Sequence, residues 1–141
     1  MKKLFVVTVA LLVSISGAVQ AEPVQWEGNG HWYSFDSSNT SWQKAQSNAA
    51  AQGGHLATCT SADENSFVAS IVKDRTWIGM WQNHDSPDFS EPAGGWEWIT
   101  GEPVDWLGWA PAEPNDSNHE DYCEIFTNGD WNDIYDWVGS G

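Results

Sequence analysis

The stretch 113–133 reads Glu113-Pro114-Asn115-Asp116-Ser117-Asn118-His119-Glu120-Asp121-Tyr122-Cys123-Glu124-Ile125-Phe126-Thr127-Asn128-Gly129-Asp130-Trp131-Asn132-Asp133. It holds three acid-and-amide groups, Glu113-Pro114-Asn115, Glu120-Asp121 and Trp131-Asn132-Asp133. Calcium takes six to eight oxygens from carboxylates, amide carbonyls and water, and this stretch supplies such donors. Pro114 allows a cis peptide bond before it at little cost, a geometry that turns Glu113 and Asn115 toward one side. Residues 122–126 read as a strand, and Asn128-Gly129 signals a hairpin. Asp130-Trp131-Asn132-Asp133 then lies on the returning strand.

Upstream of this stretch, residues 80–118 are rich in Gly, Pro, Asp and Trp and show weak periodicity. A loop this long inside a compact domain is generally functional. Before it, Trp77-Ile78-Gly79 reads as a core strand. Ser61-Ala62-Asp63-Glu64 matches a capping box, opening a helix with Phe67, Val68, Ile71 and Val72 on one side. His55-Leu56-Ala57-Thr58-Cys59 is a short extended piece. Thr40 or Ser41 can cap an earlier helix carrying Trp42, Ala45, Ala49 and Ala50, which Gly53-Gly54 ends. His31-Trp32-Tyr33-Ser34-Phe35 alternates as a half-buried strand does. No internal repeat or second domain is evident.

Residues 1–21 have the pattern of a secretory signal peptide. Lys2 and Lys3 precede an apolar run over 4–15, and Val19-Gln20-Ala21 offers small residues at a cleavage point. The run is shorter than a membrane span requires. The expected location is secreted or periplasmic, without membrane insertion, and residues 22–141 form one domain. That domain carries only Lys44, Lys73 and Arg75 against 20 acidic residues. Nucleic-acid binding, which needs clustered cations, is not expected. Many of the acids fall within 105–136, which points to a bound cation beyond simple solubility. Eleven tryptophans exclude disorder, and aromatic burial is expected to replace much of the aliphatic core.

Cys59 and Cys123 are the only cysteines. In an oxidising compartment one disulfide is the natural reading. Closing a loop of roughly 60 residues would contribute about 4 kcal/mol in the chain-entropy model. Two buried free thiols are the alternative.

Taken in order, Gly30-His31-Trp32-Tyr33, Gly53-Gly54-His55-Leu56-Ala57-Thr58, Trp77-Ile78-Gly79, Trp96-Glu97-Trp98-Ile99-Thr100-Gly101-Glu102-Pro103 and Trp109, ending in E-P-N and W-N-D, resemble the C-type lectin domains. The likeness is to secreted, bacterial-type members with a mannose-type E-P-N motif, and it covers nearly all of residues 22–141. It implies an α+β fold with two helices, small antiparallel sheets and a long loop region that carries calcium. It implies Glu113, Asn115, Glu120, Asn132 and Asp133 as ligands of the main calcium ion, with the same residues hydrogen-bonding a sugar. Vicinal equatorial hydroxyls, as in mannose, glucose, N-acetylglucosamine and fucose, would ligate that calcium. Carboxylates would accept the hydroxyl protons and amides donate. A second calcium would draw on Asp116, Glu120 and Asp121, with Asp85 or Asp88 upstream. The implied partners are carbohydrates or glycoprotein glycans, and no catalysis is expected.

The sequence departs from the family pattern at several points. Tyr122 stands where the family has a cysteine, with Cys123 one residue later, so a Cys59–Cys123 bridge would differ from the family's. The final strand that pairs with the first is not evident, which would leave an exposed edge unless 135–138 substitutes. Trp106 and Trp109 are either core or a sugar-stacking surface. His84 and His119 lie in acidic loops without zinc-type spacing. Two other classes of function stay open. A glycosidase would use paired carboxylates, and an adhesin would use calcium only to stiffen the loop.

Overall fold

The computed structural model describes residues 2–7, there as backbone only, and 21–136. In chain order the elements are β1 (Lys2–Val7), β2 (Val24–Gln25), β3 (Trp32–Asp36), α1 (Trp42–Ala51), β4 (Gly54–Leu56) and α2 (Ala62–Ile71), followed by β5 (Thr76–Gln82), β6 (Trp96–Trp98), β7 (Tyr122–Ile125) and β8 (Trp131–Ile134). The strands form one mainly antiparallel sheet in the order β2-β3-β1-β5-β7-β8, with β4 beside β1 and β6 beside β5. This is the expected α+β arrangement of two helices on a small sheet.

Local chemistry sets the helix boundaries. The Ser41 side chain accepts the Lys44 N–H at the start of α1. Ser61 does the same for Glu64 N at α2. The reciprocal half of the α2 capping box is altered. Glu64 reaches one residue further back, accepting from Thr60 N at 2.8 Å and Thr60 Oγ1 at 2.9 Å. Its other oxygen takes the Tyr33 hydroxyl at 2.6 Å and Asn29 Nδ2 at 2.9 Å. The cap carboxylate, itself buried, therefore also bolts α2 to β3. Burying it is tolerable because four donors replace its water. With that acid as partner and burial as the larger cause, the Tyr33 hydroxyl is held far above its usual pKa.

The core is aromatic, as the composition demands. Tyr33, Val68, Ile78, Met80, Trp98, Ile125 and Trp131 are buried together, while Trp42 and Trp77 pack in a second cluster with Leu56. Trp131 is the hub. Its ring meets Trp98, Trp106 and Trp109 edge-on at 5.6, 5.2 and 5.7 Å, an arrangement that adds to simple area burial. Its Nε1 donates to Asn65 Oδ1 at 2.7 Å, and Asn65 Nδ2 donates to Gly129 O at 2.8 Å. One amide on α2 thus fixes both the hub and the β7–β8 turn. Gly129 sits at φ 91° in that turn, as the Asn128-Gly129 hairpin signal requires.

Cys59 and Cys123 are both fully buried, and both are free. This corrects the disulfide expectation. The two thiols lie within the apolar core, where burial first, and nearby Glu64 or Glu124 second, push their pKa values well up. A protonated, water-excluded thiol is a poor nucleophile for disulfide formation.

The first strand is the unexpected element. Lys2–Val7, read from sequence as part of a signal peptide, pairs antiparallel with β3 from Lys3↔Asp36 to Val7↔Trp32. It also pairs with β4 and, in parallel, with β5. The edge of β3 expected to be open is therefore covered, with β2 on its other side. Tyr135 and Asp136 are not in a strand, and the rest of the suggested substitute at 135–138 lies outside the described residues. A chain beginning at Glu22 would lose these pairings. We expect it to melt at a lower temperature than the full chain, or to self-associate through the freed β3 edge. Equal melting temperatures and a monomeric state for both would show that β1 adds nothing to the domain.

Candidate functional site

The irregular segment after β6 is held down by a short graft onto β8. Trp131 N donates to Gly108 O at 2.8 Å and Ala110 N to Trp131 O at 2.9 Å, leaving Trp109 and Trp131 as an isolated parallel bridge. Gly108 is required by close approach, since a Cβ there would lie 2.8 Å from the Trp106 ring and 2.9 Å from the Trp131 ring. Trp106 and Trp109 are half-buried against the core, so of their two readings the structure supports packing. The chain is thereby delivered to 113–120 directly over the W-N-D strand.

There the turn is tight. Glu113-Pro114 is cis, and Ala112, Asp116, Asn118 and His119 all have positive φ, a region non-glycine residues seldom occupy. Asn115 Oδ1 accepts from Ser117 N at 2.9 Å and Asp116 Oδ1 from Glu120 N at 2.9 Å, the side-chain-to-backbone turns typical of these residue types. Such conformations persist only where surroundings over-determine them. The chief restraint is Asp133. Fully buried on β8, it accepts Asn115 N at 3.0 and 2.9 Å on its two oxygens and Asp116 N at 2.7 Å. Asn115 Nδ2 in turn contacts Glu113 Oε2, and Glu120 Oε2 accepts from Ser117 N at 3.0 Å.

Asn132 lies beside this group on β8. Its Nδ2 donates to Glu124 Oε1 at 3.0 Å and to Asp133 O at 2.6 Å, so the atom it can offer a ligand is Oδ1. Glu124, missed in the sequence, is fully buried and is neutralised by Arg75, whose Nε donates to both its oxygens at 3.1 and 3.0 Å. Its alternating position on β7 gave no sign of this role. The five residues Glu113, Asn115, Glu120, Asn132 and Asp133 are therefore brought to one end of the β7–β8 hairpin. Asp116 joins them through its backbone. Asp121 faces elsewhere, with Oδ1 2.6 Å from His84 Nε2. Asp85 and Asp88 make local backbone turns with Asn83 and Ser86.

The electrostatics of the group are one-sided. The Glu113 pKa is raised, first by burial and then by Asp133. Glu120 is raised by burial, then by Asp133, with Glu113 and Asp116 adding to it. Carboxylates, two amide oxygens and a surplus of negative charge make a donor set suited to a hard divalent cation.

A family model described as the Lectin C-type domain matches residues 38–136. The chain belongs to the C-type lectin domain family. It is 35% identical over 96 residues to the type-2 ice-structuring protein of Brachyopsis segaliensis, spanning 67% of this chain and 52% of the relative. It is 31% identical over 120 residues to the hepatic lectin of Gallus gallus, spanning 82% and 55%. The chain thus spans about half the length of these curated relatives. Among solved structures, the cow C-type carbohydrate-recognition domain of CD23, crystallised in the presence of a GlcNAc2Man3 oligosaccharide, superposes with a TM-score of 0.60 at 24% identity, covering 70% of this chain and 72% of that one. A calcium-independent type II antifreeze protein superposes with a TM-score of 0.57 at 31% identity, covering 67% and 69%. Among the described residues of this C-type lectin domain, no helix is long and apolar enough to cross a membrane.

The raised carboxyls give a pH test. In the absence of a cation the folded state holds protons on Glu113 and Glu120 more tightly than the unfolded chain does. Their contribution to stability is therefore present at low pH and lost as pH rises through the raised values. Glu120→Gln keeps an acceptor for Ser117 N but removes the charge. In chelator, we expect the melting temperature of this variant to gain on the parent as pH climbs out of the carboxylate range, and added calcium to cancel the gain. A difference independent of pH would show that the carboxylates do not repel one another.

Proposed function

We propose that this domain is a calcium-dependent, non-catalytic carbohydrate-binding module. One observation carries the reading: Asp133 of W-N-D clamps the backbone of the E-P-N turn, so that Glu113, Asn115, Glu120, Asn132 and Asp133 share one end of the hairpin. Membership of the C-type lectin family supports glycan binding in general. The hepatic lectin relative and the fold likeness to a carbohydrate-recognition domain agree with it.

In this proposal the five residues hold the calcium ion, which when bound supplies a Lewis-acidic anchor for two neighbouring sugar hydroxyls. The chain's own part is orientation and hydrogen bonding. Glu113 and Glu120 accept hydroxyl protons, the Asn115 amide donates to a hydroxyl lone pair, and Asn132, whose Nδ2 is held by Glu124 and Asp133, offers its Oδ1 to the ion. The E-P-N order favours mannose, glucose, N-acetylglucosamine or fucose, on free carbohydrate or glycoprotein glycans. Binding at one such site is weak, and tight attachment would come from multivalency. Residues 1–21 are proposed as an export signal to a secreted or periplasmic location. The β1 pairings then describe the chain before processing.

A calcium-independent reading has a specific basis, the likeness to the ice-structuring protein and to the calcium-independent antifreeze structure. Against it stands the surplus of carboxylates around Asp133, whose repulsion a cation would relieve. A glycan array probed with calcium and with chelator separates the two. The proposal expects binding to mannose-type glycans that chelator abolishes and free mannose displaces. It expects Asn115→Asp, which trades a donor for another charge on an exposed residue, to weaken glycan binding at least roughly tenfold with the fold intact, about 1.4 kcal/mol. Binding unaffected by chelator, or displaced by no sugar, would favour a protein-binding or calcium-free surface.

A further inference from the structure

A second group of ligand-type side chains lies outside the five residues above. His84 follows the end of β5, Glu91 comes from the loop before β6, and Asp121 precedes β7. His84 Nε2 is 2.6 Å from Asp121 Oδ1 and 4.0 Å from Glu91 Oε1. One nitrogen and two carboxylate oxygens, one from each residue, lie within 4.8 Å of one another.

A surface ion pair does not explain the whole group. A single Nε2 edge carries one proton at most, so it can donate to one carboxylate, and here Asp121 receives that contact. Glu91 is nevertheless held against the same edge. The hold comes from Gln82, a side chain only 2% exposed. Gln82 Nε2 donates to Glu91 Oε2 at 3.1 Å and to Gly94 O at 2.8 Å, while Gln82 N donates to Asp121 O at 2.8 Å. The Gln82 Oε1 atom is buried beside these contacts without a hydrogen-bond partner. The His84 ring lies 4.5 Å from that of Phe89, and the turn carrying it is fixed by Asp85 N donating to Asn83 Oδ1 at 3.0 Å. Glu91 is thus positioned by the buried Gln82 amide and the His84 ring by Phe89, the kind of outer support that orients metal ligands.

We propose that His84, Glu91 and Asp121 bind a borderline divalent metal of the zinc class. Calcium takes oxygen ligands, whereas an imidazole with carboxylates suits zinc. Bonds of about 2.0–2.2 Å in tetrahedral geometry put ligand atoms about 3.4 Å apart. The observed 2.6 and 4.0 Å bracket that spacing, and the side chains are 55%, 37% and 31% exposed, free enough to adjust. Three protein ligands leave a fourth position open to water or an incoming group. The site uses none of the five residues proposed for calcium and stands or falls separately from them. Its nearest link to them is the peptide joining Asp121 to Glu120.

The test is calorimetric titration of the full chain with zinc chloride in millimolar calcium, following circular dichroism in parallel. We expect one zinc site, weakened at least roughly tenfold by His84→Ala and by Glu91→Gln, and unchanged by His119→Ala, with the spectrum of each variant intact. Zinc binding equal in the parent, His84→Ala and Glu91→Gln would overturn the proposal. So would zinc binding removed by calcium or by His119→Ala, or no zinc binding at all. If His84→Ala does not fold, Glu91→Gln alone decides between these outcomes.

Discussion

Asp133 lies with no solvent exposure on β8, yet both of its carboxylate oxygens are occupied by backbone N–H groups of Asn115 and Asp116. A buried carboxylate without such donors would cost several kcal/mol, and a turn with positive φ at Asp116, Asn118 and His119 would not hold its shape alone. Each solves the other's problem. Through this clamp the segment 113–120 takes its place over the hairpin, where burial and then Asp133 raise the pKa of both Glu113 and Glu120, and Glu113 adds to the rise at Glu120. The strand that presents Asp133 depends on Trp131, whose ring and indole N–H are fixed by three tryptophans and Asn65. The site therefore rests on the aromatic core through one residue pair, Trp131 and Asp133.

The same economy of charge operates elsewhere in the sheet. Glu64 and Glu124 are both buried acids, and each joins elements distant in sequence. Glu64 ties α2 to β3 with neutral donors, and Glu124 ties β7 to Arg75 and to Asn132. With so few cations in the chain, Arg75 is the one placed against Glu124, and the hydrogen bonds that Glu113, Glu120 and Asp133 accept come from neutral N–H groups. This asymmetry is the electrostatic reason to place a cation there.

Much of this was legible from local sequence signals. Ser41 and Ser61 cap the helices as their positions suggest, Asn128-Gly129 turns the hairpin, and Pro114 follows a cis peptide bond. Such features depend on residues within a few positions of one another. Contacts between distant segments were not legible. Nothing in Asn65 announces that it serves Trp131 and Gly129, and Glu64 looked like a capping residue only. The Cys59–Cys123 bridge was inferred from compartment chemistry, whereas the structure places both thiols, free, inside an apolar core. The apolar run beginning in Lys2–Val7 suits export, and because the same run also suits a strand, its pairing with β3 was not legible. Glu91 and His84 were unconnected in the sequence because only the fold brings them together, with Glu91 held by the buried amide of Gln82.

The central claim is that a cation is held where the E-P-N turn meets the W-N-D strand. Calorimetric titration of the purified chain with calcium chloride at neutral pH, alongside Glu113→Gln, tests it most directly. The account predicts saturable calcium binding at or below millimolar concentration that the variant weakens markedly. No calcium heat at millimolar levels, or binding indifferent to Glu113→Gln, would contradict it.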